Sequence, residues 1–242
     1  MSTRLVNLVI DSAQPRVVAG FWAELLGWQV AIDLPEEVDV RAPAGDGWEL
    51  DLVFVPVSEG KAVKNPIHLD LASGSLAEQK ALVEKALRLG ARPALVGQRE
   101  VPWTVLADPE GNEFCVLEPR AKYDSSGAVA AIVVDSHDPL ALATFWAKAS
   151  GWHILDREED IVGLRSPAGR GPWLEFLRNG DVKKVKNRVH LDVAPLPGED
   201  PVEEAASLIE LGAAPVGKGG LDLPWELLTD PEDNEFCVLS AR

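Results

Sequence analysis

A histidine followed two residues later by an aspartate occurs twice in this chain, as His68-Leu-Asp70 and as His190-Leu-Asp192. In a strand, alternation puts each histidine and its aspartate on one face; in the first copy Ile67, Leu69 and Leu71 fall opposite. The two cysteines, Cys115 and Cys237, lie in identical surroundings, Asn-Glu-Phe-Cys-Val, where the same rule groups Glu113 with Cys115 and Glu235 with Cys237. An imidazole beside a thiol could make a nucleophile of it, but acidic neighbours raise a thiol pKa and disfavour the thiolate. No Gly-x-Ser-x-Gly elbow, Cys-x-x-Cys pair or His-Glu-x-x-His helix is present, which removes the commoner hydrolase, redox and zinc-protease constellations.

These residues recur because the chain is written twice. Phe21-Trp22 and Gly27-Trp28 return as Phe145-Trp146 and Gly151-Trp152. Lys64-Asn-Pro-Ile-His-Leu-Asp70 returns as Lys186-Asn-Arg-Val-His-Leu-Asp192, and Pro102-Trp103 as Pro224-Trp225. Asp108-Pro-Glu-Gly-Asn-Glu-Phe-Cys-Val-Leu117 returns as Asp230-Pro-Glu-Asp-Asn-Glu-Phe-Cys-Val-Leu239. The later matches sit two positions closer together than the earlier ones, and the difference is placed in the polar loop between Leu177 and Lys186. A repeat this long is a duplicated domain and no solenoid. The polar joint Arg120–Gly127 divides it into residues 1–121 and 122–242.

The elements that must position the repeated residues are legible. Leu5–Ile10 is a strand run, followed by a helix from Pro15 with Val17, Val18, Phe21, Trp22 and Leu25 at helical spacing. In the second copy Asp138 and Pro139 mark the same helix start, and Gly27 and Gly151 the stops. Strands are expected near 28–33, 37–42, 48–55 and 66–72. A second helix starts at the Ser75/Glu78 capping box and presents Leu82, Val83, Ala86 and Leu87. Strands near 92–98, 102–107 and 112–118 finish the copy, the last two joined by Asp108-Pro-Glu-Gly-Asn112, a run of turn formers. The order is β-α-β-β-β twice per copy, an α+β chain of four modules. No glycine-rich phosphate loop follows any strand.

Composition narrows the partners. The chain has 242 residues, 46% apolar and 26% charged, and a net charge of −16, an ordinary globular balance with a field that repels phosphates. Nucleic acid and anionic membrane are therefore excluded as expected partners. The apolar run Ala128–Val134 is too short to span a bilayer. Met1-Ser-Thr-Arg-Leu lacks a signal-peptide core, and two cysteines make no disulfide framework, so a cytoplasmic protein, monomer or homodimer, is expected.

The module order, the Phe-Trp helix closing in Leu-Gly-Trp, and the Asp-Pro-Glu-Gly-Asn-Glu-Phe hairpin resemble the vicinal oxygen chelate superfamily of glyoxalase I, extradiol dioxygenases and bleomycin- and fosfomycin-resistance proteins. The Lys-Asn-x-x-His-Leu-Asp strand with Asn-Glu-Phe-Cys-Val resembles its glyoxalase-like branch. The resemblance implies that the two modules of a domain curl eight strands into an open cup for a small molecule. It also implies metal ligands at the first, fourth, fifth and eighth strands. Carried over residue by residue, these fall at Asn7, Asp51, His68 and Cys115 in the first copy and at Ala131, Glu175, His190 and Cys237 in the second. Alanine is no ligand, and cysteine stands where the family has glutamate.

A carboxylate, an imidazole and a thiolate could hold zinc with an open position. A hard divalent ion prefers the missing glutamate oxygen, and cysteine packs well as a small apolar side chain. The expectation is a metal-independent cup, part aromatic and part acidic. Its ligand-binding set is Asp51, His68, Asp70, Trp103, Glu113 and Cys115, with Glu175, His190, Asp192, Trp225, Glu235 and Cys237. Such a cup sequesters or modifies a small ligand. The alternative is a divalent-metal lyase, isomerase or dioxygenase using Asp51/His68/Cys115 and Glu175/His190/Cys237. His137 and His153 are expected at the surface; Trp22, Trp28, Trp146 and Trp152 in the core.

Overall fold

The computed structural model describes residues 3–95, 97, 101–217 and 223–241. Four βαβββ modules follow one another. The first holds β1 (Thr3–Ser12), α1 (Pro15–Leu26), β2 (Gln29–Asp33), β3 (Val38–Arg41) and β4 (Asp51–Pro56). The second holds β5 (Ile67–Leu71), α2 (Leu76–Arg88), β6 (Arg92–Pro93), β7 (Thr104–Ala107) and β8 (Glu113–Val116). The third holds β9 (Val129–Ser136), α3 (Pro139–Ser150), β10 (His153–Arg157), β11 (Ile161–Arg165) and β12 (Trp173–Arg178). The fourth holds β13 (Val189–Pro195), α4 (Pro201–Glu210), β14 (Ala214–Pro215), β15 (Glu226–Thr229) and β16 (Glu235–Val238). Part of the strand expected at 92–98 lies outside the described residues. No described helix is long and apolar enough to cross a membrane.

The helix ends follow from their local chemistry. Asp138 and Ser75 accept from the backbone amides of Ala141 and Glu78, and Gly27 and Gly151 close α1 and α3 at φ 72° and 70°. Val17 and Leu87, expected on buried helix faces, are 53% and 42% exposed. Each stands at the edge of its apolar stripe.

The modules pair across the repeat. A terminal sheet runs β14-β15-β16-β13-β1-β4-β3-β2, from the fourth and first modules. A central sheet runs β10-β11-β12-β9-β5-β8-β7-β6, from the third and second. Its seam is β5 against β9, antiparallel; the other seam is β1 against β13. Both sheets are open eight-stranded cups, and each draws on residues from both 1–121 and 122–242. Internal repetition identifies equivalent strands without saying which edges meet. Here β1 and β9 offer nearly the same apolar pattern to any partner.

The tie between hairpin and helix, by contrast, stays within a repeat. Trp22 of α1 stacks edge-on at 5.0 Å against Phe114 of β8, as Trp146 does at 5.4 Å against Phe236. Asp108 Oδ1 accepts from the amides of Glu110 and Asn112 at 2.9 Å, and its other oxygen accepts from the Trp22 indole at 3.3 Å. Asp230 serves Trp146 in the same way at 3.0 Å. Glu110 accepts from Ser12 Oγ and from the amides of Ala13 and Gln14, holding the start of α1 where no side-chain cap exists. The Asp-Pro-Glu-x-Asn motif is therefore a tie between hairpin and helix. Trp28 and Trp146 are buried as expected, Trp152 partly so, and His137 and His153 are exposed.

Candidate functional site

The side chains on one face of each sheet join the helices in one large core, and those on the other face line the cup. Strand register arranges the cup residues in rows. Across the central sheet, Val133 pairs with His68 on one side and Glu175 on the other. The next row holds Ala131 between Asp70 and Trp173, with Cys115 beyond Asp70. Across the terminal sheet, Val9 lies between His190 and Val53. Asn7 lies between Asp192 and Asp51, with Cys237 beyond Asp192 and Arg41 beyond Asp51.

Two expectations are corrected by these rows. Asp51 does not share a cup with His68 and Cys115, nor Glu175 with His190 and Cys237, because the modules are exchanged between sheets. Asp51 belongs with His190 and Cys237; Glu175 belongs with His68 and Cys115. Nor are Asp51 and Glu175 equivalent. The counterpart of Asp51 is Trp173, and that of Glu175 is Val53. The two residues missing from the second copy fall between β11 and β12, not between Leu177 and Lys186.

In both cups a histidine, an aspartate and a cysteine converge, His68/Asp70/Cys115 and His190/Asp192/Cys237, each set offering atoms within 4.8 Å of one another. His68 Nε2 lies 3.5 Å from Asp70 Oδ1, and His190 Nε2 lies 3.4 Å from Asp192 Oδ1. Burial, reinforced by the neighbouring aspartate, pushes both thiols well above the usual cysteine range. Both cysteines are free and buried, and Cys115 packs with Leu117, Ala131 and Val133 as a small apolar group. Burial also holds the Asp70 carboxyl above its ordinary value. His190 is pushed down to about 3, burial first and the Lys186 ammonium second, so it is neutral at pH 7.

The remaining expected residues divide by cup. Asp51 is clamped by Arg41, whose Nε and Nη2 donate to its two oxygens at 2.7 and 2.6 Å. Glu113 accepts from Lys61 at 2.6 Å and from the Asn65 amide; Glu235 is engaged likewise by Lys183 and the Asn187 amide. These two glutamates hold the loops that carry the chain into β5 and β13. Trp103 and Trp225 stand half-buried just before β7 and β15, Trp103 against the Cys115 cluster.

Sequence reasoning missed three residues of the central cup. Trp173 lies on its inner face, and Lys122 and Tyr123 enter it from the joint between the repeats. The Lys122 ammonium is 2.8 Å from Glu175 Oε1, and the Tyr123 hydroxyl lies 3.2 and 3.1 Å from the two Glu175 oxygens. Burial raises the Glu175 carboxyl, opposed by Lys122; burial works against the Lys122 charge, yet Glu175 and Asp156 hold its pKa above normal. One signal was available: Tyr123 is the chain's single tyrosine, in a stretch otherwise made of linker residues.

The sequence profile of the glyoxalase-like domain matches residues 7–117 and again 131–239. The chain belongs to that family. Among solved structures, glyoxalase I from Zea mays superposes with a TM-score of 0.69 at 17% identity, over 99% of this chain and 92% of that one. A candidate dioxygenase from Bacillus subtilis subsp. subtilis str. 168 superposes with a TM-score of 0.63 at 12% identity, over 99% and 85%. At these identities the likeness is one of fold. No curated protein matches the sequence. The vicinal oxygen chelate architecture is thus present twice in this glyoxalase-like chain, but the four-ligand set that goes with it is not assembled. Asn7 and Ala131 hold the first-strand positions, Arg41 takes Asp51, and Lys122 with Tyr123 takes Glu175. In both sets cysteine stands where a hard divalent ion prefers an oxygen donor, with Asp70 or Asp192 the carboxylate beside it.

Proposed function

We propose that this chain is a small-molecule-binding protein of the glyoxalase and bleomycin-resistance type, metal-independent, which takes its ligand in the terminal cup. The observation that carries this reading is the fate of the fourth-strand carboxylates. In each cup a protein cation already neutralises the one expected to meet a metal. The terminal cup sets Val9 and Val53 among Asn7, His190, Asp192 and the Arg41–Asp51 pair. An apolar floor with a few fixed polar groups suits a small ligand with an apolar body.

The test is metal analysis of protein purified without chelator or nickel, followed by melting curves against a panel of small molecules. Substoichiometric metal and a ligand that raises the melting temperature are expected, since binding to the native state alone stabilises it. One bound metal per chain in the untreated protein would overturn the reading. It would favour the second one, a metal-dependent lyase, isomerase or dioxygenase, for which the convergence of His190, Asp192 and Cys237 speaks.

A further inference from the structure

Glu175 is 1% exposed, on an inner face that carries Cys115, Leu117, Ala131 and Val133 together with His68, Asp70 and Trp173. A carboxylate in such surroundings requires a counter-charge and hydrogen-bond donors. Both come from the segment joining the repeats. That segment is fastened along its length. Arg120 lies over the Trp103 ring at 5.4 Å, and Lys122 over the Trp173 ring at 4.7 Å. The Trp173 indole donates to the Lys122 carbonyl at 3.3 Å, Arg165 donates to Ser125 and Ser126, and Tyr123 is buried. The central cup therefore holds an ammonium between two carboxylates, Glu175 and Asp156, and against one indole, and a phenol through the Glu175 carboxylate.

We propose that the segment Glu118–Tyr123 is a tethered ligand of the central cup, and that the chemistry it satisfies there is that of a primary ammonium joined to a phenol. The terminal sheet has Val53 in place of Glu175 and, among the described residues, no counterpart of Lys122 and Tyr123 on its inner face. This inference concerns the central cup and stands whether or not the terminal cup binds as proposed above.

The experiment is chemical rescue in the full-length protein. Lys122→Ala/Tyr123→Ala should melt several degrees below the parent chain. Tyramine, which carries both lost groups, should raise its melting temperature, leave the parent unchanged, and lose its effect when Glu175→Gln is added. A double variant that melts with the parent overturns the proposal, as does a folded one indifferent to tyramine. Should that variant fail to fold, Lys122→Met is compared with Lys122→Met/Glu175→Gln. Removing the carboxylate should then restore stability, and equal melts overturn the proposal. Metal content and terminal-cup ligands play no part in this readout, so its failure is distinguishable from failure of the functional reading.

Discussion

Asp51 and Trp173 occupy the same place in the two copies of the fold, each paired in parallel with the first strand of its module, at Asn7 and at Ala131. The positions carried over from the family resemblance set Asp51 against Glu175 instead. A two-residue slip moves a strand by one full period, so every side chain stays on its face and the pattern gives no warning. What moves is the row. The consequence is chemical: one cup has a carboxylate clamped by Arg41 beside Asn7, the other an indole beside Ala131 and a carboxylate facing His68 across Val133.

The shorter β11–β12 loop that causes this slip ends against the other half of the molecule. Gly171 has φ +83°, and a Cβ there would stand 2.0 Å from the Gly47 carbonyl oxygen. Its amide donates to the Ser125 carbonyl at 3.0 Å, which ties the joint to the loop. Gly169, in the same loop, has φ +67° and nothing within 4 Å of its Cβ position. Gly169→Ala should therefore cost only the left-handed backbone term, ~1–2 kcal/mol. Gly171→Ala should cost more, about 3 kcal/mol, because backbone must also move. Denaturant melts of the two variants check the difference; equal losses would show that the close approach is not a constraint.

The exchange of modules predicts how the halves behave. Residues 1–121 alone keep the packing of Trp22 on Phe114 but leave the seam edges of β1 and β5 without their partners β13 and β9. Unpaired edges recruit strands from other chains. Fragments 1–121 and 122–242, mixed, should elute as a one-to-one complex, and each alone should elute larger than a monomer. Gel filtration with light scattering decides. Two monomeric fragments that ignore each other would mean that the edges are closed within each half.

Particular residues show what the sequence could reveal. Glycines at 27 and 151, Asp138 before Pro139, and the Asp-Pro-Glu turns are local signals, and the structure places each where its backbone chemistry requires. His68 and Asp70 share a face because strands alternate, and Cys115 joins them because β8 pairs with β5. Which edges form the seam was not legible, since β1 and β9 are near copies and pairing is a tertiary choice. Lys122 and Tyr123 escaped for a related reason. Their role depends on Glu175 lying beneath a joint whose composition is that of any loop.

The neutral imidazole of His190 should leave a mark on acid stability. In the unfolded chain it takes a proton near the ordinary value of 6.5; in the folded chain burial and Lys186 delay this to about 3. Between those values the unfolded state binds more protons, so His190 draws stability away as pH falls below 6.5. The loss at pH 5 is about 2 kcal/mol. Buried Asp70 and Glu175, with raised pKa values, act in the opposite direction. They are common to the parent and a His190→Gln variant and cancel in the difference. Melting both proteins at pH 7 and pH 5 should show a smaller acid loss in the variant. A ligand of the terminal cup should also bind His190→Gln more weakly at pH 7, where both forms are stable. Were the variant to lose as much stability in acid as the parent, the imidazole would have to be solvated and free to charge in the folded protein.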